Sequence, residues 1–78
     1  MTGKDDLLRE FGARVRGRRK ECGLSQEELA YQSGMHRTYV SSVERGERNI
    51  ALVNIVALAA ALGVDAGDLV TGLKYHPQ

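Results

Sequence analysis

The chain has 78 residues, which is enough for one domain around one hydrophobic core. Its 11 Lys and Arg residues against 10 Asp and Glu residues give a net charge of +1, which excludes the strong basicity of a histone-like binder. A single cysteine, Cys22, excludes an internal disulfide and a metal site of several cysteines, and we expect its side chain to be buried. The chain shows neither a signal peptide nor an apolar run near 18 residues, so we expect a cytoplasmic protein without a membrane span.

The cations are concentrated in one stretch of the chain. Residues 14–20 hold five Lys and Arg residues and no acidic residue. A local basic face of this kind is typical of a modest phosphate-binding surface, and it is equally typical of an ordinary solvated helix face. Charge alone leaves both interpretations open.

Apolar residues at three- and four-residue spacing predict a first helix over residues 5–21. Its inner face comprises Leu8, Phe11 and Val15. Asp5 or Asp6 is expected to cap its first turn. Gly12 and Gly17 are expected to weaken the helix by about 1 kcal/mol each relative to Ala.

The next two helices carry the clearest local signals. Ser25 and Glu28 have the spacing of a capping box in front of a second helix over residues 26–33. Gly34 follows it and can supply the positive φ of a tight turn. A third helix is then predicted over residues 37–45. Two short helices joined by such a turn form a helix-turn-helix.

The third helix is predicted to have two chemically different sides. Val40 and Val43 define the buried side. A helical projection from them places Thr38, Ser41, Ser42 and Arg45 outward, with Arg37 and Tyr39 on the flanks. Hydroxyl and guanidinium groups read base edges and hold phosphates, whereas an ordinary exposed helix more often carries Glu, Lys and Gln. The outward side therefore favours nucleic-acid binding.

Two further helices are predicted over residues 52–62 and 66–72, followed by a loose tail over residues 74–78. The expected core stripe of the fourth helix comprises Leu52, Ile55, Val56, Ala59 and Leu62. Asp65 can cap the fifth helix, whereas Ala51 is a poor cap for the fourth. The sequence thus predicts an all-α fold of five helices in a single domain over residues 1–78.

Two segments resemble a known family. They are GLSQEELA (residues 23–30) and RTYVSSVERG (residues 37–46), and they are similar to the lambda-repressor-like helix-turn-helix family, also called the Cro or xenobiotic-response-element type. The resemblance extends over about residues 11–69 and implies a five-helix lambda-repressor-like DNA-binding domain. Within that family, residues 36–49 look most like the controller proteins of restriction–modification systems, small dimers that regulate their own operon and the endonuclease gene. Those proteins usually have Asp where this chain has His36.

The resemblance implies DNA-contacting roles for individual residues. Gln26, at the start of the second helix, matches a position that hydrogen-bonds a phosphate. Arg37 and Thr38 match the first base-reading positions of the third helix. Further groove-facing positions correspond to Ser41 and Ser42, and phosphate-contacting positions correspond to Tyr39, Arg48 and Asn49.

The resemblance also implies two structural features. Arg19 and Glu44 match a buried or half-buried salt bridge that joins the first helix to the third. Family dimers are commonly built from the fifth helix and its neighbourhood, which here comprises Leu58, Val64, Leu69, Val70 and Leu73.

We therefore expect a sequence-specific transcription regulator that binds palindromic operator DNA as a homodimer, because one recognition helix reads only a few base pairs. An antitoxin with a toxin partner, a phage-type or sporulation-type repressor, and a protein-interaction module that has lost DNA reading remain alternatives. No catalytic constellation, Gly-rich phosphate loop or metal-spaced cluster is apparent in the sequence. We accordingly expect no enzymatic activity, cofactor, metal or small-molecule ligand.

Overall fold

The computed structural model describes residues 3–77, and its regular structure within that range is entirely helical, which confirms the predicted all-α, five-helix fold. The helices, in chain order, are α1 (Lys4–Glu21), α2 (Gln26–Ser33), α3 (Arg37–Glu44), α4 (Leu52–Leu62) and α5 (Ala66–Val70). Compared with the prediction, α1 begins one residue earlier, α3 ends one residue earlier and α5 ends two residues earlier. Residues 1, 2 and 78 of the predicted domain and tail lie outside the described range.

Local bonds fix the start of α2 and the turn that follows it. The Glu28 N–H donates to Ser25 Oγ at 3.0 Å, and the Ser25 N–H donates to Glu28 Oε1 at 2.8 Å, which completes the predicted capping box. The bond from the Ser25 backbone lowers the pKa of the Glu28 carboxyl, so this cap weakens only as the pH falls through that lowered value. Gly34 then takes a left-handed φ of 73°, and the Met35 N–H donates to the Ala30 carbonyl at 2.8 Å.

Two glycines allow α1 to lie close to α3 and to the residue that follows the C-cap of α3. A Cβ on Gly12 would overlap the backbone oxygen of Val43 and would lie 2.7 Å from that of Glu44. Gly46 has a φ of 76°, and a Cβ there would lie 2.8 Å from the backbone nitrogen of Arg9. Gly17, by contrast, faces open space. Gly12 therefore sets how closely α3 lies against α1, a role that the sequence did not reveal.

Every helix contributes to one hydrophobic core. The largest fully buried side chains are Val15 from α1, Leu29 from α2, Val40 and Val43 from α3, Leu58 from α4 and Leu69 from α5. Phe11, Ala30, Ala59 and Leu62 complete the buried set. The arrangement holds α3 against both α1 and α2, so the position of α3 depends on the whole core rather than on α2 alone.

The predicted core stripe of α4 is partly wrong. Leu52 and Val56 are 73% and 50% exposed, and Val53 beside them is 77% exposed. Ala59 and Leu62 are buried as predicted, and Leu58, which was not assigned to the stripe, is buried as well. The prediction failed because α4 is apolar almost all round, so hydrophobic periodicity could not select the side that faces the core.

Two predictions about α1 are also wrong. The N-cap residue is Gly3, and neither Asp5 nor Asp6 caps the helix. Asp6 instead accepts a hydrogen bond from Arg9 Nη2 at 2.6 Å. Cys22 is exposed at the C-cap of α1, and its Sγ donates to the Leu62 carbonyl oxygen at the end of α4 at 3.5 Å.

Arg14 ties α5 to α1. Its Nη1 donates to the carbonyl oxygen of Leu69 at 3.4 Å and also to that of Thr71. The last carbonyls of a helix have no partner within the helix, and a cation is a favourable donor to them.

Within residues 3–77, no helix is both long enough and apolar enough to cross a membrane.

We expect Gly12→Ala to lower the free energy of unfolding by about 1–3 kcal/mol, because the added methyl forces α1 and α3 apart. Gly17→Ala, in the same helix, is the matched control. It should raise the free energy of unfolding by up to about 1 kcal/mol, because Ala is the better helix former and the site is open. Urea unfolding followed by circular dichroism measures both, and equal effects of the two substitutions would contradict the assignment of Gly12 as the contact point.

Candidate nucleic-acid interface

The exposed side of α3 begins directly after the turn. His36 is the N-cap residue of α3 and makes no side-chain capping bond. Arg37 and Thr38, in the first turn, are both exposed. Ser41, one turn later, is half-buried, and Arg45 is exposed at the C-cap of the helix. These four side chains, Arg37, Thr38, Ser41 and Arg45, form the polar side of α3, which differs from the predicted set by including Arg37 and lacking Ser42.

Arg45 is held in place by neighbours on both sides. Its Nε and Nη2 donate to the two carboxylate oxygens of Glu47 at 3.1 and 3.0 Å, and its Nη1 donates to Ser41 Oγ. The hydrogen bonds between the two groups raise the pKa of Arg45 and lower the pKa of Glu47. The guanidinium group is thus orientated before any ligand arrives.

Ser42 does not lie on the outward side of α3, so its predicted outward placement is wrong. Its side chain is buried, with a residue exposure of 7%. The hydroxyl donates to the carbonyl oxygen of Tyr39 at 2.8 Å and accepts a bond from Arg48 Nε at 3.2 Å. The chain after α3 folds back over this position, where the Glu47 N–H donates to the Ser42 carbonyl at 2.9 Å. A projection of α3 alone could not include that loop.

Tyr39 links α3 to the following loop and to α4. The guanidinium carbon of Arg48 lies 5.4 Å from the centre of the Tyr39 ring, which is a cation–π distance. The Tyr39 hydroxyl accepts a hydrogen bond from Asn54 Nδ2 at 3.1 Å. Sequence reasoning missed Asn54, although its position as the one polar residue in the apolar α4 was a usable signal. Asn49, in the same loop as Arg48, is exposed.

A buried ion pair lies behind α3. Arg19 Nε and Nη2 donate to the two carboxylate oxygens of Glu44 at 2.6 and 3.0 Å, so the predicted pair between α1 and α3 is present and bidentate. The two side chains are 11% and 3% exposed, respectively. Glu44 raises the pKa of Arg19 through these bonds. Arg19 Nη1 also donates to the Leu24 carbonyl at 2.9 Å.

Gln26 joins this ion pair to the start of α2. Its Nε2 donates to Glu44 Oε1 at 3.1 Å, and the side chain is half-buried. Among residues 3–77 only Glu44 accepts from this amide, so its second N–H is available to an acceptor outside the protein. The start of α2, the end of α3 and the buried pair thus form one connected unit.

Comparison with known proteins agrees with this geometry. A family described as helix-turn-helix matches residues 15–69, which include α2, the turn and α3. The chain belongs to the helix-turn-helix family.

Relatives of this helix-turn-helix protein include controller proteins. The control protein C.BamHI of Bacillus amyloliquefaciens is 48% identical over 70 residues, which cover 88% of this chain and 84% of that protein. The crystal structure of the restriction-modification controller protein C.AhdI from Aeromonas hydrophila has 53% identity and a TM-score of 0.78, over 82% of this chain and 96% of that one. The controller protein C.Esp1396I, solved as a tetramer in complex with its natural 35 base-pair operator, has 33% identity and a TM-score of 0.77, over 86% of this chain and 88% of that one.

The basic stretch of this helix-turn-helix protein is only partly available to a ligand. Arg14 binds the end of α5 and Arg19 binds Glu44. Arg18 lies 3.7 Å from Glu21. Arg16 and Lys20 are exposed. Two of the five cations, Arg14 and Arg19, therefore hold α1 against α5 and α3, an outcome that the charge pattern left open.

The predicted dimer residues need correction. Leu58 and Leu69 have no exposed surface and belong to the core of one chain, so neither can lie in an interface. The family resemblance placed them at the dimer interface, because it indicated the region of the fold and not which side of α4 and α5 faces the core. Val64 and Leu73 are partly buried against the core, and Val70 remains exposed.

We expect Arg19→Met to lower the free energy of unfolding by about 3–5 kcal/mol, because it leaves the Glu44 carboxylate buried without its cation. The double variant Arg19→Met/Glu44→Met should recover much of that loss, since well-packed apolar residues replace a buried ion pair at little cost. Denaturant unfolding of the two variants measures the difference. A loss below about 1 kcal/mol for Arg19→Met would place the pair in the class of surface ion pairs and contradict this account.

Proposed function

We propose that this chain is a cytoplasmic transcription regulator that binds palindromic operator DNA as a homodimer and regulates its own gene, as a restriction–modification controller does. The observation that carries the proposal is the exposed polar side of α3, formed by Arg37, Thr38, Ser41 and Arg45. An eight-residue helix preceded by a tight turn has the dimensions to enter a DNA major groove. No catalytic step, cofactor, metal or small-molecule ligand is part of the proposal.

Arg37 and Thr38 are the proposed base-reading residues. An arginine can donate two parallel hydrogen bonds to guanine O6 and N7, which discriminates against other bases by about 1–3 kcal/mol. Thr38 can offer its methyl group to thymine or its hydroxyl to a base edge. Arg45, held by Glu47 and Ser41, presents its remaining N–H groups on the same side.

Phosphate contacts are proposed for residues at the edges of this surface. Gln26 has one free amide N–H at the start of α2, where the helix dipole also favours an anion. Tyr39, Arg48 and Asn49 are proposed as further phosphate donors beside the end of α3. Such contacts position the protein, whereas Arg37 and Thr38 supply sequence discrimination.

The proposed dimer surface is the apolar patch of α4, defined as Leu52, Val53 and Val56. These side chains are mostly exposed in a single chain, and burying apolar surface of this kind drives association. Val70 on α5, with the partly buried Val64 and Leu73, remains a candidate for the margin of the same interface. A dimer lets two α3 helices contact half-sites about 34 Å apart along the DNA.

Other functions have less support. The similarity to C.BamHI and C.AhdI runs along most of both chains, which favours a controller over an antitoxin or a phage-type repressor. A protein-interaction module that has lost DNA reading would be favoured by large aliphatic side chains on α3. The exposed positions of α3 carry arginine and threonine instead, and the half-buried Ser41 lies on the same side.

We expect Arg37→Ala to abolish protection of a palindromic site in the DNA upstream of the gene, or to reduce it to sequence-independent binding, because a base contact is lost. Arg18→Ala is the matched control: it removes the same charge from the surface between α1 and α5, beside Asp68 and Thr71. Footprinting at physiological salt compares both with the unaltered protein. Equal loss in the two variants would show that only the total charge matters and would contradict base reading by Arg37.

We expect Val53→Glu to make the protein monomeric, because a carboxylate would have to be desolvated inside the interface. The side chain is 77% exposed in one chain, so the fold should remain intact. Tyr31→Glu, at an exposed position on α2, is the control and should leave the dimer unchanged. Sedimentation equilibrium measures the association, and an unchanged dimer in the Val53→Glu variant would exclude the α4 patch as the interface.

A further inference from the structure

Four side chains form a hydrogen-bonded and stacked group beside the end of α3. Ser42 accepts from Arg48 Nε, Arg48 lies over the Tyr39 ring, and the Tyr39 hydroxyl accepts from Asn54 Nδ2. The bond to Asn54 spans two helices and is part-buried, so it fixes the Tyr39 ring relative to α4. Asn54 itself is half-buried in the first turn of α4.

The direction of the Asn54 bond determines what Tyr39 can do. An amide N–H can only donate, so the hydroxyl oxygen of Tyr39 is used as an acceptor. Its own hydrogen then has to point away from Asn54, and no acceptor within residues 3–77 takes it. The hydroxyl is therefore prepared to donate to an acceptor outside the protein. The adjacent Arg48 guanidinium makes an anionic acceptor the most favourable one.

We propose that Asn54 is a positioning residue for DNA binding, which acts through the Tyr39 hydroxyl and turns its hydrogen toward a backbone phosphate oxygen. This inference rests on the proposed function and adds to it a residue on α4 that does not itself touch DNA. Asn54 fixes both the position of the ring and the direction in which the hydroxyl donates. Arg48, held by Ser42, supplies the neighbouring positive charge.

The test is a double-mutant cycle on the dissociation constant for operator DNA, with Asn54→Ala, Tyr39→Phe and the double variant. A hydrogen bond to a charged phosphate oxygen corresponds to a weakening of about ten- to a hundredfold, which is the effect expected for Tyr39→Phe and the upper limit for Asn54→Ala. In the Tyr39→Phe protein, Asn54→Ala should have no further effect, because the hydroxyl through which it acts is absent. Additive losses would show that Asn54 supports only the shape of α4, and would overturn the proposal.

A second variant tests the direction of the bond. In the Asn54→Asp variant the carboxylate can only accept a hydrogen bond, so the hydroxyl hydrogen of Tyr39 turns toward that carboxylate. A lone pair of the hydroxyl oxygen then faces the phosphate. Asn54→Asp should therefore weaken binding more than Asn54→Ala when Tyr39 is present. The added negative charge alone is measured by the same substitution in the Tyr39→Phe protein. An equal effect of Asn54→Asp in both proteins would overturn the proposal.

Two controls separate this inference from the function on which it rests. Gln32→Ala removes an exposed amide from α2 and should leave the dissociation constant unchanged. The unaltered protein must bind the operator before the cycle is interpreted. Absence of operator binding by the unaltered protein would refute the proposed function, whereas normal binding with no effect of Asn54→Ala would refute only the role of Asn54.

Discussion

The ion pair between Arg19 and Glu44 is the interaction on which the rest of the structure depends. It joins α1 to α3, and Gln26 and the Leu24 carbonyl extend it to the start of α2. Because a buried charge without its partner is costly, the pair admits only a narrow range of positions for α3. Gly12 imposes the same restriction sterically, since any side chain there would meet the backbone of α3. The ion pair and the close contact at Gly12 thus both fix the position of α3 relative to α1.

This fixation matters because a base-reading helix must present its side chains at defined positions. Arg45 is already bonded to Glu47 and Ser41, and Tyr39 is already bonded to Asn54. Side chains that are orientated before binding lose less conformational freedom when they bind, which favours affinity. Arg37 and Thr38 are exposed at the start of α3, so in the proposed complex their side chains can adjust to base edges.

The sequence predicted those parts of the structure that depend on local signals. The capping box at Ser25 and the left-handed Gly34 each act within a few residues, and the bounds of α2 followed from them. The side of α4 that faces the core could not be predicted, because Leu52 and Leu58 are equally apolar and only the packing of the whole chain distinguishes them. Ser42 was assigned to the wrong side of α3 for a similar reason. The loop after α3 covers it, and a projection of the helix alone does not include that loop. Asn54 bonds to Tyr39, a residue fifteen positions earlier, and no rule of helical spacing predicts that contact.

The central claim is that this chain reads DNA sequence as a symmetric dimer. Selection of binding sites from a random duplex library tests it most directly, because the protein itself then picks its operator from all possible sequences. We expect enrichment of an inverted repeat whose half-site centres lie about 10–10.5 base pairs apart. Recovery of duplexes with no shared sequence, or of a single unrepeated half-site, would contradict the claim.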